Sequence, residues 1–105
     1  NWYNLQTSGT DWLTKTGTYT AFPGDKIFAN TSGGAFTITL PAAPATGDEV
    51  RFVDLANSFD THSLTVGRNS LKIDGQTSDL TVSTEGAAFS LVYSGATYGW
   101  KLTEK

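Results

Sequence analysis

The chain has 105 residues, of which 38% are hydrophobic, 12% aromatic and 16% charged, with a formal net charge of -3. A chain of this length forms one domain with a single core, and a composition rich in aromatics and poor in charge excludes disorder. The acidic balance without any basic cluster excludes a nucleic-acid surface, and no apolar run approaches the roughly 20 residues of a membrane helix.

The sequence contains no cysteine and no methionine. Without cysteine, the chain can form neither a disulfide nor a thiolate metal site. Because position 1 is Asn1 and not methionine, we expect the chain to be a fragment or a processed product.

Two parts are expected along the chain. Residues 1–11 are predicted to be an N-terminal arm or the end of an upstream module, and residues 12–105 a single β-domain. The arm carries Trp2 and Tyr3, whose amphipathic rings are suited to stacking on the apolar faces of sugars. Alternatively, these two rings pack against a neighbouring segment or an upstream module.

Short strands and turns open the β-domain. The runs 12–15, 19–22 and 25–30 are each predicted to be a strand. Between the second and third run, Pro23 presets φ and Gly24 supplies a positive φ, which favours a type II turn.

The centre of the sequence, residues 33–54, has the clearest pattern. Apolar residues at positions 36, 38 and 40 alternate with small or hydroxylated residues, a period of two that is typical of a half-buried strand. Pro41 cannot donate to a strand ladder and therefore ends this strand. The Gly47-Asp48 turn then precedes a second alternating run, residues 49–54, so we predict a hairpin with a loop stiffened by proline.

The rest of the chain repeats the alternation of short strands and turns. In total the sequence predicts about nine short strands with turns every eight to twelve residues, and no helix. The predicted fold is therefore all-β, either an antiparallel β-sandwich or a small barrel. The predicted core consists of Phe36, Ile38, Leu40, Val50, Phe52, Leu64, Val66, Leu80, Val82, Phe89, Leu91 and Leu102.

The sequence offers no pattern for catalysis, a cofactor or a metal, so we expect no enzyme. His62 is the only histidine; with Asp54 and Asp60 it belongs either to an oxygen-rich cation site or, more simply, to a solvated loop. The neighbouring carboxylates Asp48 and Glu49 enter a strand and point to opposite faces. No Gly-x-Ser-x-Gly elbow is present to activate a serine.

An ordered series of motifs runs along the β-domain: Tyr19-Thr20-Ala21-x-x-Gly24-Asp25-x-Ile27-x-Ala29-Asn30-Thr31-Ser32-Gly33-Gly34, Phe36-Thr37-Ile38-Thr39-Leu40-Pro41-Ala42-x-Pro44-x-x-Gly47-Asp48, Asp54, Phe59-x-Thr61, Leu64-Thr65-Val66-Gly67-Arg68-Asn69, Ile73-x-Gly75, Asp79-Leu80-Thr81-Val82 and Gly99-Trp100. Taken together, they resemble a module that recurs in tail-fibre and tailspike-like proteins of tailed bacteriophages. The resemblance covers about residues 12–103, and its specificity comes from the order of the motifs, each of which is weak alone. One departure is Ser70, where such modules usually carry glycine, so Asn69 is expected to take up the positive φ of that turn.

The resemblance implies a non-catalytic virion component that supports host attachment or receptor binding. It implies a homotrimer that contacts other virion proteins and a bacterial surface polysaccharide, without a cofactor, located in a tail appendage and extracellular when mature. The small hydroxylated face of Thr37 and Thr39 would suit close packing against another subunit.

Two alternatives remain open at this stage. The first is a stand-alone carbohydrate-binding module; the second is a capsid decoration or head-fibre domain. A sugar-binding module needs at least two aromatic rings on one exposed face, whereas a fibre module would bury most of them. The candidate stacking residues are Trp2, Tyr3, Trp12, Tyr98 and Trp100.

Overall fold

Every regular element of the described residues is a β-strand. The computed structural model of the protein describes residues 12–104, with side chains for residues 12–103. This part of the chain holds no helix, and hence none that is long and apolar enough to span a bilayer. The strands are β1 (Leu13–Lys15), β2 (Tyr19–Thr20), β3 (Lys26–Ala29), β4 (Phe36–Thr39), β5 (Glu49–Asp54), β6 (Leu64–Gly67), β7 (Leu80–Val82), β8 (Ala88–Tyr93) and β9 (Trp100–Glu104).

The strands form two mixed sheets, neither of which closes into a barrel. The five-stranded sheet has the order β1-β3-β5-β8-β9 and the four-stranded sheet the order β2-β4-β6-β7. The first six strands alternate between the sheets and pair in parallel within each, so they form three stacked coils. The antiparallel pairs are β5 with β8, β6 with β7, and β8 with β9. The predicted all-β class is confirmed, whereas the barrel alternative and the uniformly antiparallel pairing are wrong.

The predicted central hairpin does not form, because β4 and β5 belong to different sheets. The backbone N–H of Leu40 still donates to the Gly67 carbonyl in the four-stranded sheet at 2.8 Å, and Pro41 follows with no N–H to continue. The loop 41–48 then carries the chain across to the other sheet. Alternation shows which face of a strand is buried but does not show which strand is its partner.

One core cluster draws its side chains from both sheets. Most of the predicted core is confirmed as buried: Ile38, Leu40, Val50, Phe52, Leu64, Val66, Phe89 and Leu91. The other predicted members, Phe36, Leu80, Val82 and Leu102, are partly buried and pack against this core. The core also includes Ala21, Ile27, Ala29, Phe59, Ile73, Tyr93 and Trp100.

The turn after β6 differs from its prediction in one respect. Asn69 has a φ of 52° as expected, but Ser70 has a φ of 69° as well. The left-handed region is unfavourable for a serine, whose Cβ approaches the following carbonyl oxygen. The side-chain amide of Asn69 holds the turn by donating to the Leu40 carbonyl at 3.0 Å.

Candidate binding surface

The structure separates the aromatic residues that the sequence proposes for glycan stacking. Trp2 and Tyr3 lie outside the described residues. Trp100 is completely buried and packs against Tyr93 with ring centroids 5.3 Å apart, so it offers no face to a sugar and its assignment is corrected. Trp12 is 38% exposed and Tyr98 62% exposed. These two do not form one platform, because Trp12 precedes β1 and Tyr98 precedes β9, the opposite end strands of the five-stranded sheet.

Trp12 has an aromatic partner that the sequence did not reveal. Its ring stacks on Phe28, with centroids 4.6 Å apart and planes inclined by 15°. Side chains of a strand point alternately to its two faces. Ile27 and Ala29 of β3 are buried in the core, so Lys26 and Phe28 face outward, away from the core. Leu13 of β1 pairs with Ile27, which places Trp12 beside the outward side chains of β3.

Two rows of outward side chains extend this stack across the five-stranded sheet. Thr14, Phe28, Val53 and Ala88 occupy matching positions on four neighbouring strands. In the next row, Lys26 pairs with Arg51. We call this surface the aromatic face; it comprises Trp12, Thr14, Lys26, Phe28, Arg51, Val53 and Ala88.

Of the two cations on the aromatic face, Arg51 has an ion-pair partner and Lys26 has none among residues 12–103. Lys26 and Arg51 lie directly opposite each other on parallel strands, an arrangement of like charges that normally costs stability. Nε of Arg51 lies 3.2 Å from a carboxylate oxygen of Glu49 on the same strand. Lys26 forms no ion pair with any side chain of residues 12–103.

An open groove of about 620 Å³ lies at the side of the domain where β7 and β9 end their sheets. Its apolar lining includes Leu80, Val82, Phe89 and Leu102, and Glu85 stands at its border. The groove explains why Leu80, Val82 and Leu102, which are predicted to lie in the core, are only partly buried. The edge of the core is therefore accessible to solvent on this side of the domain.

The buried carboxylate of Asp54 organises two loops. Its Oδ1 accepts a hydrogen bond from the Ser58 N–H, and its Oδ2 accepts from the N–H groups of Phe59 and Gly86, all at 3.0 Å. Only 3% of Asp54 is exposed. The hydrogen bonds from three backbone N–H groups compensate the carboxylate for its loss of contact with water.

The structure does not support a cation site at Asp54, Asp60 and His62. Asp60 and His62 are exposed, whereas the Asp54 carboxylate faces backbone N–H groups in the interior. Among the described residues, no group of three or more His, Cys, Asp or Glu side chains is placed to hold a metal ion.

Other carboxylates hold turns in the same way. One oxygen of Asp25 accepts from the Tyr19 hydroxyl at 2.8 Å and from the Phe22 N–H at 2.9 Å. Burial, with the hydrogen bond and negative charge of Asp25, raises the pKa of Tyr19 to about 12. Asp48 and Asp79 likewise accept from backbone N–H groups at 2.8 and 3.0 Å. These acids hold the geometry of their loops, a usual role of aspartate in turns.

Comparison with known proteins identifies no family for this chain. No protein-family model matches the sequence, and no curated protein matches it significantly. What the chain can bind is therefore inferred from its own surface.

Proposed function

We propose that the chain is a non-catalytic attachment module of the kind found in phage tail fibres and tailspikes, and that it contacts a bacterial surface glycan. The observation that carries this proposal is the stack of Trp12 on Phe28 at the outer side of the five-stranded sheet. One face of the indole is covered by Phe28, and 38% of Trp12 remains exposed. An aromatic ring presented in this way suits the apolar face of a pyranose ring.

The stack also limits the cost of binding. An exposed tryptophan loses side-chain freedom when it binds a ligand, and this loss weakens the affinity. Contact with Phe28, whose strand pairs on both sides, holds the indole in place before the glycan arrives. Val53 and Ala88 extend the apolar surface beside the stack for a second sugar unit.

Several aspartate side chains accept hydrogen bonds from backbone N–H groups, and this structural use supports a non-catalytic role. A glycosidase needs two carboxyl groups about 5 to 9.5 Å apart across a cleft that admits the substrate. Asp25, Asp48, Asp54 and Asp79 accept hydrogen bonds from the backbone of their own loops or of neighbouring ones. Incubation with bacterial polysaccharide should release no reducing ends; steady release that is abolished by one Asp or Glu substitution would contradict this proposal.

The finer architecture we propose is a β-sandwich in which the two sheets face each other. Buried side chains of β3, β5 and β8 join those of β4 and β6 in one cluster, which supports this arrangement. A sandwich has two outer faces, and one of them is the aromatic face. Such a scaffold keeps the stack of Trp12 and Phe28 in a fixed geometry.

For assembly we propose a homotrimer, located in a virion appendage beside other virion proteins. Among the described residues, the outer edges of β1 and β2 lie on one side of the domain and those of β9 and β7 on the other, with the start of β9 covered by residues 72–74. Free strand edges invite pairing with a further chain. The side bounded by β7 and β9 carries the apolar groove with Glu85, whereas β1 on the other side carries Lys15. Head-to-tail contact of such complementary sides closes into a ring when the rotation allows it.

The proposed glycan contact is tested by a glycan array that includes bacterial polysaccharides. We expect Trp12→Ala to abolish binding, because the stacking platform is removed, and Tyr98→Ala to leave it unchanged. Tyr98 is the matched control, since it is exposed and aromatic but lies at the other end of the sheet. If no glycan binds, or if the two variants behave alike, the proposal is wrong.

The aromatic face would also serve a stand-alone carbohydrate-binding module or a head-fibre domain. A stand-alone module needs no partner copy, so it would bind glycans as a monomer. The mass of the glycan-bound species therefore separates this alternative from a trimeric appendage.

A further inference from the structure

We infer that the aromatic face selects acidic sugars, those that carry a carboxylate, over neutral ones. This inference rests on the proposed function, since it assigns the ligand class of the same surface. It is carried by the position of Lys26 and Arg51 beside the stack of Trp12 and Phe28.

The register places the two cations next to the sugar platform. Leu13 pairs with Ile27, and Trp12 and Lys26 are the residues that immediately precede them in the sequence. Trp12 and Lys26 therefore lie side by side on the outer face of the sheet. Lys26 in turn pairs with Arg51 on β5. A sugar ring stacked on Trp12 therefore has the ammonium group nearest to it and the guanidinium group one strand further on.

The pairing of Lys26 with Arg51 is itself an unfavourable arrangement that an anion would relieve. Like charges directly opposite each other in a sheet repel. Glu49 lies 3.2 Å from Nε of Arg51 and offsets part of this repulsion, whereas Lys26 has no such partner among residues 12–103. A ligand carboxylate beside Lys26 would supply the missing negative charge through a charge-assisted hydrogen bond.

The size and charge of the surface favour a sugar acid over a larger polyanion. The chain has a net charge of -3 and no basic cluster, so its surface does not suit nucleic acid. Glu49 offsets the charge of Arg51, and Asp25, which lines the same small pocket, accepts hydrogen bonds from Tyr19 and Phe22. Lys26 beside one exposed indole therefore matches one sugar carboxylate. Thr14, Val53 and Ala88 are the uncharged members of the face.

The test compares a polyuronate, such as alginate oligosaccharide, with the same polymer after reduction of its carboxyl groups to alcohols. Affinity is measured by calorimetry or a surface-binding assay at low salt. We expect the polyuronate to bind more tightly than the neutral polymer. Lys26→Gln should weaken polyuronate binding roughly fivefold, the range of one partly exposed ion pair, and so remove the preference over the neutral polymer. Lys72→Gln is the control, because this lysine lies near the other end of the sheet beside Thr97.

Each outcome decides a different point. Preference for the polyuronate that Lys26→Gln removes and Lys72→Gln preserves supports the inference. Equal binding of both polymers, lost in Trp12→Ala, overturns the selectivity and leaves the proposed glycan contact standing. Absence of binding to either polymer and to every acidic glycan on an array overturns the inference together with the glycan contact.

Discussion

The backbone N–H of Gly86 donates to Oδ2 of Asp54 at 3.0 Å, across 32 residues of sequence. The same carboxylate accepts from the N–H groups of Ser58 and Phe59. One buried side chain therefore ties the loop after β5 to the turn before β8. It also keeps Phe59 in the core, where that ring is fully buried.

Replacing Asp54 with Ala should destabilise the domain by more than a typical surface substitution. The change leaves buried backbone N–H groups without an acceptor, which costs about 1–3 kcal/mol for each group that water cannot reach. Urea unfolding followed by tryptophan fluorescence measures the loss. Asp60→Ala is the matched control, because Asp60 is an exposed aspartate of the same loop. Equal stability of the two variants would show that the Asp54 contacts do not stabilise the fold.

Ser70→Gly should stabilise the domain. Ser70 has a φ of 69°, and a left-handed conformation costs an L-residue roughly 1–2 kcal/mol that glycine does not incur. Part of this gain is lost to the greater freedom of glycine in the unfolded chain, which leaves a net gain of about 0.5–1 kcal/mol. Thermal unfolding measures it, with Ser70→Ala as the control that removes the hydroxyl but keeps the Cβ. A melting temperature raised equally by both variants would refute the backbone explanation.

Tyr19 should ionise late in an alkaline titration. Burial, with the hydrogen bond and charge of Asp25, raises its pKa to about 12, compared with about 10 for tyrosine in an unfolded chain. The folded state thus favours the neutral phenol; this stabilisation is fully present below pH 10 and is lost as the pH rises through about 12. Tyrosinate absorbance should show a late component that Tyr19→Phe removes and that Asp25→Asn shifts to lower pH. A Tyr19→Phe difference curve centred near pH 10 would contradict this expectation.

The proposed trimer predicts a mass three times that of the chain. Light scattering over a dilution series should show it at tens of micromolar, with dissociation on dilution. Glu85→Lys should weaken assembly, because it places like charges at the contact between the groove and β1 of the next copy, which carries Lys15. The double variant Lys15→Glu with Glu85→Lys should restore it. A wild-type chain that stays monomeric at every concentration would exclude the trimer.

Local patterns in the sequence predict the faces of strands better than their partners. The alternation at Ile38 and Leu40 correctly places both in the core, because a period of two depends only on one strand and its burial. The parallel pairing of β1, β3 and β5 joins segments that are far apart in the chain, and no local pattern carries that information. The predicted hairpin is wrong for this reason.

The same limit applies to the binding surface. Trp12 is a correct candidate for an exposed ring, but its partner Phe28 becomes visible only when β1 and β3 are paired. Trp100 follows Gly99 in a short terminal strand, where the sequence gives no sign of its burial against Tyr93. The alternation around Ile27 was the one signal that could have marked Phe28 as outward-facing.

Amide chemical-shift mapping tests the central claim most directly. The 15N-labelled chain is titrated with the glycan that binds most tightly on the array, and the shifted amides are placed on the fold. The proposed glycan contact predicts that they centre on Thr14, Phe28 and Val53, around the ring of Trp12. Shifts that instead centre on the groove of Val82, Phe89 and Leu102, with the aromatic face unchanged, would contradict it.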